Sequence, residues 1–377
     1  MSRYSLSAQP SLRSMTPSYF TCISGFGIMS SYKKLPSIDA ARRRLLFHIG
    51  SVAAAGAAGA LPGVTFAQSR EQATLASGSA GYTWALPFVA ESAGYWKARN
   101  VDLKVLDFPT GRDSMQALLA GSANFSTTTD TPLVFAVLQG LKPGILANFS
   151  RYSYDMKIVA REGSGIAADK PASLKGKKIG TPAGTSGQYA LAKYLEFAKL
   201  SASDITQVNL APTDLIGALV RGDIDAFSWT AQAGNAALRQ SGGKAFFLTQ
   251  DGYEKFFRSH QLLLVNQNTL DTRQALVKDA IGALLDAEKR IAQDPAWPDL
   301  IATRIRSTPA EVKQATSVFE FKVGFDDSFV DDLVNQAKWA IDAKLAPAPA
   351  GDLRALFRAA IKDAPLSAAA PDRVKLA

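Results

Sequence analysis

Residues 177–200 run KKIGTPAGTSGQYALAKYLEFAKL, and they force a strand, a tight turn and a long helix into immediate succession. Lys177 and Lys178 lead into Ile179. The Gly180-Thr181-Pro182-Ala183-Gly184 run cannot continue regular structure, because glycine and proline punctuate it. Thr185 or Ser186 is then a natural N-cap, its hydroxyl oxygen free to accept an orphan backbone N–H. Beyond Gly187 the apolar residues Tyr189, Leu191, Ala192, Leu195, Ala198 and Leu200 recur at helical spacing. A helix start on a glycine turn presents free N–H groups and roughly half a positive charge. Gly184, Thr185, Ser186 and Gly187 therefore read as half of an anion site, or as an ordinary capped helix in an α/β layer.

The same order repeats along the chain. Strand, special loop and helix are expected at 71–76, 77–84 and 86–96, and again at 101–106, 108–113 and 114–120. A third strand, 124–128, runs into a threonine-rich loop and a helix over 133–139. After an apolar strand at 157–160 a second series begins, with strands at 208–210, 224–230 and 245–248 and a helix over 214–220. The segment 261–266 would return the chain to the first half. Four helices follow, over 274–293, 311–319, 328–343 and 351–362, with 371–377 as a loose tail. Strand–loop–helix repetition is the pattern of parallel α/β sheets, whose ligands sit at the carboxyl ends of the strands.

The first 67 residues are expected to be a leader. Arg42, Arg43 and Arg44 precede an uncharged Ala/Gly-rich run, Pro62-Gly63 breaks it, and Thr65-Phe66-Ala67 offers small residues around a cut. The run is shorter than the ~20 residues that span a bilayer. The arginines suit a twin-arginine or a general secretory signal, and Met29 is a candidate start. Seven of the cationic residues against one Asp lie in this leader. The formal charge of +9 therefore falls to +3 for residues 68–377, which gives no argument for a nucleic-acid partner. The one cysteine, Cys22, also lies in the leader, so a disulfide framework is excluded. With His260 the one histidine beyond it, Cys/His nucleophile pairs and His/Cys metal clusters are excluded too, and no catalytic residue, metal or cofactor is expected.

Candidate ligand contacts fall at the strand ends. Tyr82, Thr83 and Trp84 offer an aromatic wall and a hydroxyl, or core packing. Arg112, after Gly111, offers a bidentate clamp on a carboxylate or sulfonate, or a surface ion pair with Asp113. Thr129 and Asp130 offer a hydroxyl and a carboxylate for an amine, or a helix cap. Trp229 and Thr230 would close on the ligand from the second half, or pack between halves.

The ordered motifs resemble one family. Gly81-Tyr82-Thr83-Trp84 with Gly94-Tyr95-Trp96 is similar to the first strand–loop–helix of periplasmic substrate-binding proteins of ABC importers. The subgroup is the one for taurine, alkanesulfonates, nitrate and thiamine-precursor pyrimidines. Residues 116–125 resemble its x-AL-x-x-G-x-x-DF segment, with Asn124 where Asp is usual. Residues 174–180 resemble its DLKGKKIG signature, with Ser173 in the acidic place, and residues 219–226 resemble AL-x-x-G-x-x-DA. The resemblance implies a type II bilobed periplasmic-binding-protein fold, two α/β lobes joined by a hinge. The expected division is leader 1–67, lobe 1 over 68–161, lobe 2 over 162–260, and a return to lobe 1 with C-terminal helices over 261–377. It implies an exported monomer without enzymatic activity. It would capture a small anionic organic ligand, a sulfonate such as taurine foremost, and deliver it to an ABC permease and ATPase. A same-fold enzyme, a pyrimidine-type protein and a nitrate or aromatic carboxylate receptor are the alternatives.

Overall fold

The computed structural model describes residues 69–79 and 81–376. The leader, with Met29 and Cys22, lies outside these residues. Among the described residues, two sheets form. The larger holds β1 (Glu71–Gly78), β2 (Val101–Phe108), β3 (Phe125–Thr129), β4 (Gly144–Tyr152), β10 (Ser259–Val265) and β11 (Phe319–Gly324), in the order β11-β4-β10-β3-β1-β2. The smaller holds β5 (Met156–Arg161), β6 (Lys178–Thr181), β7 (Thr206–Asn209), β8 (Ala226–Thr230) and β9 (Ala245–Phe247), in the order β7-β6-β8-β5-β9.

In each sheet the strands that begin the repeats run parallel. β1 pairs with β2 and β3, and β6 pairs with β7 and β8. The strands entering from the other sheet pair antiparallel, β10 with β3 and β5 with β8. Helices follow the parallel strands: α1 (Ala85–Ser92), α2 (Gly111–Leu119) and α3 (Asp130–Leu138) in the first lobe, then α4 (Ser186–Phe197), α5 (Pro212–Arg221) and α6 (Ala231–Gln240) in the second. β3, FSTTT, is buried along its whole length between β1 and β10, although four of its five side chains are hydroxylic. Three of the four find partners: Thr127 Oγ1 meets Ser77 Oγ at 2.9 Å, Ser126 Oγ donates to Ser114 Oγ at 3.4 Å, and Thr129 Oγ1 accepts from Ser186 Oγ at 2.7 Å.

The chain crosses between lobes twice, at 153–155 and at 248–258. The first crossing lies earlier than the expected boundary at 161, because β5 pairs with β8 and β9 and so belongs wholly to lobe 2. Two strands escaped the sequence reading. β4, GILANFSRY, is buried at eight of nine positions and shows no alternation. β11 does alternate, with Phe319 and Val323 buried, and the helix expected over 311–319 stops at Thr316 to make room for it. α7 (Gln267–Thr272), α8 (Gln274–Gln293), α9 (Pro309–Thr316), α10 (Phe329–Asp342), α11 (Leu353–Ala360) and α12 (Ala364–Ala369) complete lobe 1. The expected loose tail is docked instead: the Arg373 carbonyl accepts from Phe325 N at 2.8 Å, Lys375 N returns a bond to the Phe325 carbonyl, and Arg373 pairs with Glu288. Among the described residues no helix is long and apolar enough to cross a membrane.

One apolar core runs through lobe 1 and on to the face of α4, by way of Tyr152, Phe257 and Tyr189. A smaller one, around Leu215, Leu219, Ile224 and Phe227, lies behind the second sheet.

Candidate functional site

The carboxyl ends of β1, β3, β6 and β8 lead into the loops and helix starts that meet where the lobes face each other. Thr185 is the N-cap of α4. Its Oγ1 accepts from Gly187 N at 3.2 Å and donates to the Pro182 carbonyl at 2.8 Å. Asn209 Oδ1 accepts from Ala183 N, and Gln188 Oε1 accepts from Gly184 N. Gly184 itself takes φ +70°, a conformation for which glycine carries no Cβ penalty. The N–H groups of Thr185 and Ser186 are those at this turn that no described residue takes up. Both residues are buried, and Ser186 Oγ donates to Thr129 Oγ1 across the gap at 2.7 Å.

Trp229, at the end of β8, lies against the first turn of α4: a Cβ on Gly187 would come 2.6 Å from its ring. Thr230 caps α6, its Oγ1 accepting from Ala233 N, and its methyl lies near Gly81. Trp84 lies flat against two glycines. A Cβ on Gly78 would stand 2.1 Å from its Nε1, and one on Gly111 3.0 Å from its ring. Thr128 Oγ1, beside Gly111, is buried with no partner among the described residues. Tyr82 turns its hydroxyl away, to Ser307 Oγ at 3.3 Å.

Two expected contacts are otherwise engaged. Arg112 is exposed, and its Nη1 donates to the Ala183 carbonyl at 2.9 Å, so it ties the lobes at the mouth of the gap. Asp130 is fully buried, and both carboxylate oxygens are taken: Ser259 Oγ and Thr131 N donate to Oδ1, His260 N and Gln336 Nε2 to Oδ2. Burial pushes its carboxyl up, against the pull of His260 and these bonds. Asp130 is therefore a bracket between α3, β10 and α10, and its carboxylate is spent on lobe 1.

Sequence reasoning missed Asp155, in the first crossing. Its Oδ2 accepts from Thr83 Oγ1 at 3.3 Å, its carbonyl accepts from Ala231 N at 2.7 Å, and its Oδ1 has no partner among the described residues. The one signal was an acid between two apolar strands. His260 is fully buried with Nε2 2.9 Å from Asp332, and among the described residues no group of His, Cys, Asp and Glu is placed to hold a metal.

Two α/β lobes, joined by two crossings and facing each other with strand ends and helix starts, define a bilobed periplasmic-binding-protein fold. Residues 84–297 match the NMT1/THI5-like family, and the chain belongs to it. A putative aliphatic sulfonates-binding protein of Escherichia coli is 31% identical over 36% of this chain and 42% of its own length. The taurine-binding periplasmic protein of the same organism is 25% identical over 50% of this chain and 58% of its own length. The chain thus spans about two-fifths to three-fifths of the curated relatives it matches. Among solved structures, the alkanesulfonate-binding protein SsuA of Xanthomonas axonopodis pv. citri, bound to MOPS, superposes with a TM-score of 0.65 at 21% identity. That match covers 79% of this chain and all of the other, and it shows the shared fold.

Proposed function

We propose that this chain is the solute-binding component of an ABC importer, exported to the periplasm and acting as a monomer, with a small organic anion as its ligand and a sulfonate foremost. The observation that carries this reading is the start of α4. Two unclaimed N–H groups, on Thr185 and Ser186, sit beside the Ser186 and Thr129 hydroxyls, on facing lobes. With the lobes apart, the helix start is a ready anion site. The anion accepts from the two amides and the Ser186 hydroxyl, and closure adds Thr129. Trp84 and Trp229 supply apolar walls for the organic part. The closed, loaded form is then what the permease and ATPase receive. The relatives are named as sulfonate- and taurine-binding proteins, which supports the reading. Binding without reaction accords with His260, whose ring is buried and held on Asp332.

Thermal-shift measurements with ethanesulfonate, 2-aminoethanesulfonate, nitrate and benzoate test this. A true ligand at 100 times its dissociation constant adds ~2.7 kcal/mol of stability. Ser186→Asp places a carboxylate on the same amides, where the helix start favours it, so the protein stays folded and the shift disappears. An undiminished shift in that variant would remove the α4 start from the site.

A further inference from the structure

We propose that the outer edge of the first sheet carries a second site, separate from the gap between the lobes, for a small inorganic oxyanion of the size of sulfate or phosphate. Three segments of lobe 1 meet there: the end of β4, the irregular stretch of β11, and the docked tail over 371–376. β11 faces β4 in two registers, Phe321 opposite Ser150 and Gly324 opposite Asn148, with a shift between them. Such a bulge interrupts the ladder and re-aims the side chains beside it. A cavity of about 60 Å³ lies at this place, against the ~10–15 Å³ that one water needs.

Asn148 lines the cavity and is 5% exposed, and its Oδ1 has no partner among the described residues. Residues directly opposite on paired strands project to the same face. A Cβ on Gly324, which stands opposite Asn148, would come 2.7 Å from the Arg373 carbonyl. The Asn148 amide therefore lies on the face that the tail covers. A buried amide left unpaired costs free energy, so it calls for a partner from outside the chain.

A half-turn of the amide presents Nδ2 in place of Oδ1, so the surrounding charge decides what that partner is. Four cationic side chains line the cavity against three acidic ones. The acids are already engaged. Arg151 bonds Glu320 at 2.7 Å and also Asp326, and Arg373 lies 3.7 Å from Asp372 while it bonds Glu288. Lys322 and Lys375 have no carboxylate partner among the described residues. One belongs to the bulge and the other to the tail, and both are exposed. The unclaimed groups are thus two ammonium ions at the mouth and one amide within, a donor set for an oxyanion. A metal ion does not suit the place, because among the described residues no group of acids and histidines is arranged to hold one. An anion between the two lysines fastens the tail to the sheet edge, beside the two backbone bonds that Phe325 exchanges with Arg373 and Lys375.

The test is calorimetric titration of Ser186→Asp with sodium sulfate, since in that variant the α4 start already carries a carboxylate. One sulfate per chain is expected, with a dissociation constant of about 1 mM or below. Replacing both exposed lysines, Lys322→Gln with Lys375→Gln, should weaken binding about tenfold or more. Asn148→Leu removes the unpaired amide and should weaken binding likewise, with the urea midpoint in sulfate-free buffer confirming that the variant is folded. No saturable binding to Ser186→Asp would overturn the site, and so would an affinity unchanged by the lysine replacements. An affinity unchanged in folded Asn148→Leu would overturn the role of the amide.

Discussion

At the scale of single residues, Asp155 makes a prediction about stability. Its carboxyl titrates near 6 in the folded chain, against ~3.9 in an unfolded one. The folded state thus holds this proton more tightly. The contribution is most favourable below pH ~4 and is lost as pH rises through 6, at up to ~1.4 kcal/mol per pH unit. The titratable groups within its reach are Lys157, Tyr82 and Tyr152. Asp155→Asn is expected to raise the ligand-free stability by about 2 kcal/mol at pH 7 and by almost nothing at pH 4. Urea unfolding at the two pH values checks this; a variant less stable at pH 7 would contradict it. Residue by residue, the sequence was a partial guide. It placed Thr185, Ser186, Gly187, Trp229 and Thr230 at strand ends and helix starts, where they are found. It could not say which way a buried acid points, so Asp130 was offered as a ligand contact or a helix cap, and the four bonds that hold its carboxylate in lobe 1 were not legible. The two departures from the family's motifs are both accounted for by bonding. Asn124 Oδ1 accepts from Thr74 N while its Nδ2 donates to Thr269, a donation no carboxylate makes. Ser173 Oγ accepts from Ala167 N and donates to the Lys170 carbonyl.

At the scale of elements, local signals were strong wherever glycine, proline or a cap interrupts a periodic run. The helix over 274–293 and the turn before α4 were legible for that reason. β4 was not, because a strand covered on both faces has no alternation to read. β10 and β11 pair with its edges and α8 and α12 pack on it, and all four come from far along the chain. Two element-level outcomes follow. Gly78→Ala ends β1 with a methyl inside the Trp84 indole, so overpacking should cost about 1–3 kcal/mol, read from the urea midpoint. Thr185→Ala removes the cap of α4 and the bond to Pro182, and should cost about 1 kcal/mol. If the α4 turn is the site, Thr185→Ala also weakens anion binding, whereas a purely structural cap would leave affinity intact.

At the scale of the whole molecule, the lobes are in contact at several places outside the crossings. Arg112 meets the Ala183 carbonyl, Ser186 meets Thr129, Gln232 donates to the Ile305 carbonyl at 2.5 Å, and Tyr189 packs on Trp339 with ring centroids 4.9 Å apart. Each of these must break for the lobes to part. Arg112→Ala loses one exposed bond, so ligand affinity should fall only about threefold to tenfold, through faster release. A loss of a hundredfold or more in calorimetry would mean that the guanidinium holds the ligand itself. Hinge closure of this kind was implied by the resemblance and the paired α/β series. The closing contacts were not legible, because they join residues that share no local pattern.

The placement of the tryptophans has a practical consequence. Trp96 and Trp297 are sealed in lobe 1, whereas Trp229 stands on the facing lobe and Trp339 meets Tyr189 across the gap. Opening would wet the last two and leave the first two dry. Intrinsic emission therefore carries a built-in optical gauge of lobe separation: red-shifted when the halves part, blue-shifted when a solute draws them together, with no label attached.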